Sequence, residues 1–154
     1  MSLKIGDKVP AFSMFDSQKK EFNNDTINGK KALFLFVPAA FTSVCTKEFC
    51  GVRDDIAYYN NLNAVVVGIS TDSLFTLARW KEEQAMNFIL ASDYNKEVTA
   101  AFGVAYDVFA FGMRGTSKRS AFVINEQGVV TYAEVLDNAS EVPDFEKIKA
   151  ALEL

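Results

Sequence analysis

Cys45 and Cys50 are the only thiols in the chain, and histidine is absent. Acid–base chemistry must therefore come from Asp, Glu, Lys, Tyr, Cys or the backbone. A Ser-His-Asp triad, a Cys-His pair and a His-ligated zinc or iron site are excluded within one chain. Two cysteines cannot supply a four-cysteine metal site. What remains is thiol chemistry, and one segment carries it: Val37-Pro38-Ala39-Ala40-Phe41-Thr42-Ser43-Val44-Cys45-Thr46-Lys47-Glu48-Phe49-Cys50. A thiol in the first turn of a helix faces unpaired N–H groups and the positive end of the helix dipole, and such a place favours the thiolate. Thr42 stands where it can cap that helix or present its hydroxyl to whatever Cys45 attacks. Pro38 ends the preceding strand and stiffens the turn. A free cysteine is also commonly just a small buried hydrophobe, so position alone leaves both readings open.

The elements needed to hold this segment can be read around it. Ala32 to Val37 and Ala64 to Ile69 are apolar without alternation, which fits strands buried on both faces of a parallel sheet. Between them, Val44, Phe49, Val52, Ile56 and Tyr59 recur at steps of mostly three and four, which predicts one helix from Ser43 to about Asn60. The result is a right-handed β-α-β crossover, with Cys45 where a buried strand hands over to a helix. In open α/β sheets chemistry sits beyond the carboxyl ends of strands. Thr71-Asp72-Ser73 reads as an N-cap for a helix through Leu74, Leu77, Ala78, Lys81 and Ala85. A short strand at Phe88–Ala91 and a short helix at Lys96–Phe102 follow. Ala121–Ile124 and Val129–Val135 form a hairpin around Glu126-Gln127-Gly128. Pro143 opens a last helix that buries Phe145, Ile148, Ala151 and Leu152. The expected fold is α/β and thioredoxin-like, with a central mixed sheet flanked by helices in three layers.

The 154 residues, 49% hydrophobic and 23% charged, suit a single globular domain spanning 1–154. A net charge of −4 and no basic run argue against nucleic acid as a partner. The longest apolar run, Ala32 to Phe41, falls short of the roughly 20 residues of a membrane span. The N-terminus lacks the apolar stretch of a signal peptide, so the expected location is cytoplasmic. Neither Gly-x-Gly-x-x-Gly nor a P-loop appears, which disfavours nucleotide enzymes.

Pro38, Thr42 and Cys45 meet the pattern Pro-x-x-x-Thr-x-x-Cys, and the segment resembles the active site of the peroxiredoxins. The likeness covers nearly the whole chain. It includes Ile5 to Phe12, Gly68-Ile69-Ser70-Thr71-Asp72, Leu90-Ala91-Ser92-Asp93, and Arg119 just before the hairpin. The resemblance implies a thiol peroxidase acting on hydrogen peroxide or alkyl hydroperoxides, with Cys45 as the peroxidatic thiolate. Thr42 and Arg119 would orient the peroxide, Pro38 would shield the sulfur from bulk water, and Glu48 would brace Arg119. The thiolate attacks one peroxide oxygen, the other departs with the electron pair, and Cys45 becomes a sulfenic acid. This chemistry needs no metal and no bound cofactor. Lys47, Arg53 and Arg114 are expected to be solvated.

The spacing Cys45-x-x-x-x-Cys50 is similar to the peroxiredoxin Q (bacterioferritin comigratory protein) branch, in which the second cysteine resolves the sulfenic acid as an intramolecular disulfide. Ser117 to Glu134 are more similar to the alkyl hydroperoxide reductase E branch, many of whose members use one cysteine. Cys50 is thus expected either to resolve or to stay silent. Five residues of helix separate the two Cα atoms by about 8.6 Å, too far for a bridge, so resolution requires the start of the helix to unwind. Electrons would come from thioredoxin or a similar thiol reductant. A disulfide exchanger without peroxide specificity is the competing reading, although its usual Cys-x-x-Cys spacing is missing. The aromatic loop Tyr106 to Met113 could line the active site, form the interface of a homodimer, or tuck onto the core of a monomer. Trp80, among charged neighbours, is expected to join such an interface.

Overall fold

The computed structural model describes residues 1–154. Its elements in chain order are β1 (Ser13–Asp16), β2 (Glu21–Asn23), α1 (Asn24–Ile27), β3 (Ala32–Phe36), α2 (Ser43–Asp54), α3 (Ile56–Asn61), β4 (Val65–Ser70), α4 (Leu74–Glu83), β5 (Ile89–Ser92), α5 (Glu97–Ala101), β6 (Arg119–Ile124), β7 (Val130–Leu136) and α6 (Phe145–Leu152). They build one seven-stranded sheet in the order β2-β1-β5-β4-β3-β6-β7. β3 pairs parallel with β4, and β4 parallel with β5. The β1–β2, β1–β5, β3–β6 and β6–β7 pairs are antiparallel. The sheet is therefore mixed, as expected.

β3 lacks alternation because both of its faces are covered. Leu33, Leu35 and Val37 pack with residues of α2, α3, α4 and α6 on one side. Ala32, Phe34 and Phe36 pack with α1, α5 and the N-terminal segment on the other. Every residue of this strand is fully buried, and each large side chain there contributes roughly 1.5–3 kcal/mol by leaving water. The three layers follow from these two cores. At Gly68 of β4 a Cβ would stand 2.4 Å from Phe49 Cε2. Glycine there lets α2 lie directly on the sheet.

Several expectations need correcting. The predicted helix from Ser43 to Asn60 is two helices, broken at Asp55, whose φ of −112° and ψ of 14° are not helical. The hydrophobic period runs through the break because both pieces face the same core. The strand after α4 starts one residue later than read, at Ile89. Pro143 does not open α6; Asp144 is its N-cap, accepting a hydrogen bond from the Lys147 N–H. Trp80 is not at a surface. It is fully buried, stacked on Phe49 at 5.3 Å, and its Nε1–H donates to Thr46 Oγ1 at 3.1 Å. The aromatic loop is not tucked onto the core: Phe111 is fully exposed and Val108 is 59% exposed. The β1–β2 hairpin and α1 had no counterpart in the sequence reading. Ser73 does cap α4, accepting from the Thr76 N–H. The β6–β7 turn closes on Asn125 Oδ1, which accepts from the N–H groups of Gln127 and Val129 at 3.0 Å each.

Candidate active site

The carboxyl end of β3 leads through Val37 and buried Pro38 into a short turn, and α2 begins at Ser43. Thr42 occupies the N-cap position with extended backbone. Its hydroxyl does not cap; it donates back to the Ala39 carbonyl at 2.7 Å. The N–H groups of the first turn, Cys45 included, thus have neither an intrahelical acceptor nor a side-chain cap. They remain available to an oxygen placed above the sulfur. Phe41, just before the cap, has a φ of +67°, a left-handed conformation uncommon for a bulky residue.

Cys45 lies in that first turn and is 1% exposed. Glu48 is three residues on, so both side chains leave the same face of α2. Antiparallel pairing of β6 with β3 places Ser120 opposite Phe36. Arg119, one step further, therefore arrives where β3 gives way to α2. Its guanidinium is buried and engaged at all three nitrogens. Nη2–H donates to Cys45 Sγ at 3.3 Å and to the Ala139 carbonyl at 2.8 Å. Nη1–H donates to Glu48 Oε1 at 2.9 Å, and Nε–H to the Ala139 carbonyl at 3.3 Å. The structure thus brings Cys45, Glu48 and Arg119 together, with Thr42 and Pro38 at the rim of the same turn.

The electrostatics follow from burial. Desolvation pushes the Glu48 carboxyl up to about 7, Arg119 pulls it the other way, and Glu134 adds a smaller upward push. Glu48 Oε2 is buried without a hydrogen-bond partner. An unpaired buried oxygen is costly for the ionised form, consistent with the raised value. Burial opposes the charge on Arg119, but Cys45 and Glu48 together outweigh it and hold its pKa above the ordinary value.

Cys50 is half-buried on α2, and Cys45 and Cys50 are both free. Its thiol donates to Gln84 Oε1 at 3.5 Å, a long contact acceptable for sulfur. Two further ties join this part of α2 to the segment after α4. Arg53 Nη1–H donates to the Gln84 carbonyl at 2.6 Å, and Asn87 Nδ2–H to the Arg53 carbonyl at 3.2 Å. Arg53 is therefore engaged rather than simply solvated, whereas Lys47 and Arg114 are exposed as expected. No group of three or more Cys, Asp or Glu side chains is placed to hold a metal, and no helix is long and apolar enough to cross a membrane.

Sequence reasoning missed the Ala139 carbonyl, because a backbone acceptor in a loop leaves no signature in residue type. It also missed Gln84, whose role depends on α4 packing beside α2.

Comparison with known proteins places the chain in a family. The AhpC/TSA family profile matches residues 5–133. Peroxiredoxin Bcp of Escherichia coli is 38% identical over 102 residues, 66% of this chain and 65% of that protein. The bcp-type peroxiredoxin of Haemophilus influenzae is 36% identical over 129 residues, 83% of each chain. The crystal structure of peroxidoxin BcpB from Mycobacterium tuberculosis superposes with a TM-score of 0.85 at 29% identity, covering 98% of this chain and 97% of the other.

Proposed function

Because the chain belongs to the AhpC/TSA family and is a peroxiredoxin, we propose that Cys45 is its peroxidatic residue, that Cys50 resolves the sulfenic acid, and that an external dithiol recycles the disulfide. The observation that carries this reading is the 3.3 Å hydrogen bond from Arg119 Nη2 to Cys45 Sγ. An N–H donor fixed on a buried sulfur suits an anionic nucleophile.

The thiolate attacks the nearer peroxide oxygen in line with the O–O bond. That bond breaks, its electron pair leaves on the far oxygen as hydroxide or alkoxide, and a proton from solvent completes water or alcohol. Cys45 is oxidised to the sulfenic acid and the peroxide is reduced. Negative charge moves from sulfur to the departing oxygen. Arg119 and the uncapped N–H groups of α2 donate to the reacting oxygens without reorganising, which is electrostatic stabilisation by fixed dipoles. Thr42 complements them: with its proton on Ala39 O, its oxygen accepts from the peroxide O–H. Glu48 and the Ala139 carbonyl hold the guanidinium in plane. Pro38 walls the sulfur from water. Resolution then joins the Cys50 sulfur to Cys45 with loss of water, after the first turns of α2 unwind. A reductant of the thioredoxin type reopens the disulfide by thiol exchange.

The test is the intact mass of the reduced protein after one equivalent of hydrogen peroxide. Loss of two hydrogens is expected and identifies the Cys45–Cys50 disulfide. Gain of oxygen confined to Cys45 would make it a one-cysteine peroxidase. Unchanged mass with peroxide remaining would overturn the assignment of Cys45, as would peroxide consumption that survives Cys45→Ser.

A further inference from the structure

The turn that carries Pro38 and Thr42 is not held by its own strand alone. The Ala40 N–H donates to Asp72 Oδ2 at 2.8 Å, across a sequence separation of 32 residues. Asp72 follows β4, the parallel neighbour of β3, and the pairing of Phe36 with Ile69 brings the two strand ends side by side. The same Asp72 oxygen accepts from Ser70 Oγ at 2.8 Å. The Asp72 N–H returns a hydrogen bond to Ser70 Oγ at 3.2 Å, and Ser92 Oγ donates to the Asp72 carbonyl at 2.6 Å. Ser70 is 1% exposed. Ser70, at the end of β4, thus aims the carboxylate, and Ser92, at the end of β5, holds the backbone of the same residue. The reading of Thr71-Asp72-Ser73 as one capping cluster divides here: Ser73 caps α4, and Asp72 turns the other way.

We infer that Asp72 is a positioning residue for peroxide reduction: by pinning the Ala40 N–H, it sets the turn that presents Thr42 and Pro38 to the peroxide at Cys45. This rests on the peroxidase reading above and adds a residue to it. The turn needs such an anchor. Phe41, next after Ala40, sits in the left-handed region, where a bulky residue persists only if its surroundings over-determine it. The second constraint within the turn, Thr42 Oγ1 on Ala39 O, orients the hydroxyl that meets the peroxide. Releasing Ala40 frees the Ala39 carbonyl, and with it that hydroxyl. The sulfur itself is held by α2 and Arg119, and Asp72 makes no hydrogen bond to either, so it keeps its place and its donor.

That separation defines the experiment. Two second-order rates are measured for Cys45 across pH 5–9: reaction with hydrogen peroxide, which needs an aligned turn, and alkylation by iodoacetamide, which needs the thiolate but no donor aligned on a departing oxygen. In Asp72→Ala the peroxide rate is expected to fall about 10- to 100-fold, the scale of a misplaced reacting group. The iodoacetamide rate is expected to stay within about twofold of wild type, with its pH midpoint unmoved. Asp72→Asn should restore most of the peroxide rate. Its amide oxygen can accept from Ala40 and Ser70, and its NH2 replaces Oδ1, which has no protein partner. Should Asp72→Ala fail to fold, Ser70→Ala reads the same contact, since it removes the hydroxyl that aims the carboxylate, and its peroxide rate should drop while alkylation does not. A peroxide rate within twofold of wild type in the variant measured overturns the inference. So does a parallel fall of both rates, or an Asn variant no better than Ala. A wild-type protein that alkylates at Cys45 but leaves peroxide unreacted would instead overturn the peroxidatic assignment.

Discussion

Arg119 Nη1 and Glu48 Oε1 meet at 2.9 Å with side chains only 2% and 0% exposed, 71 residues apart in the chain. The carboxylate has one oxygen on the guanidinium and the other with no partner. This half-satisfied pair fixes the guanidinium that touches Cys45, and it makes the site sensitive to pH.

Stability should fall as pH rises from about 4.5 to about 7. The folded Glu48 carboxyl titrates near 7 because burial outweighs the pull of Arg119, whereas in the unfolded chain it titrates near its ordinary value. Between the two, the folded state holds the extra proton, so deprotonation favours unfolding. The contribution is fully present below the unfolded value and is lost as pH passes the folded one. Urea denaturation from pH 5 to 8 should show this slope in the wild type and a flatter profile in Glu48→Gln.

Removing the guanidinium should damage both fold and rate. Arg119→Ala leaves Glu48 a buried, protonated carboxyl without its partner, at a cost of about 1–3 kcal/mol, and removes one donor to the reacting oxygens, worth about 10²–10³ in rate. Arg119→Lys keeps the charge but cannot reach Cys45, Glu48 and Ala139 with one planar fork. It should recover part of the stability and little of the peroxide rate. Thermal unfolding and stopped-flow peroxide kinetics separate the two.

Trp80 should report the helix opening. It is the single tryptophan, stacked on Phe49 and bonded to Thr46, both on α2. Unwinding of the first turns strips away these contacts and exposes the indole. After peroxide addition, a slow change in tryptophan emission should accompany disulfide formation and be absent in Cys50→Ser. An identical slow phase in that variant would contradict resolution by Cys50.

Gly51→Ala should slow resolution without touching peroxide reduction. A Cβ at this position meets nothing within 4 Å, so the substitution adds helix propensity of about 1 kcal/mol and no clash. Unwinding of α2 from Ser43 through Cys50 and the adjoining Gly51 then costs correspondingly more, about a fivefold slower disulfide step. The peroxide rate should be unchanged, and overoxidation of Cys45 at high peroxide should increase, since the sulfenic acid waits longer. Mass spectrometry against time measures both.

Residue type and local period were enough to determine much of this protein. The apolar runs at β3 and β4 announced a sheet covered on both faces, because such strands must be hydrophobic on alternate and intervening positions alike. The apolar run ending at Val37 and the helical period beginning at Val44 placed the Cys45 thiol at a helix start, because strand end, turn and first helical turn are consecutive in the chain. The hairpin of β6 and β7 was legible from its turn residues. Other local features were obscured. β1 alternates, yet it exposes Phe15 and is only four residues long, too little for a period to stand out. The break at Asp55 was invisible because Ile56 and Tyr59 continue the apolar face.

Only the tertiary structure decided which distant groups converge. Arg119 reaches Cys45 through the β3–β6 register, a carbonyl after β7 completes its contacts, and Asp72 reaches Ala40 because β3 and β4 end together. Trp80, flanked by Arg79 and Lys81, proved wholly buried, because one helical position can face the core while its neighbours face water. Local composition sets which chemistry is available. Which charges share a buried space depends on chain segments brought together across tens of residues, and no local pattern records that pairing.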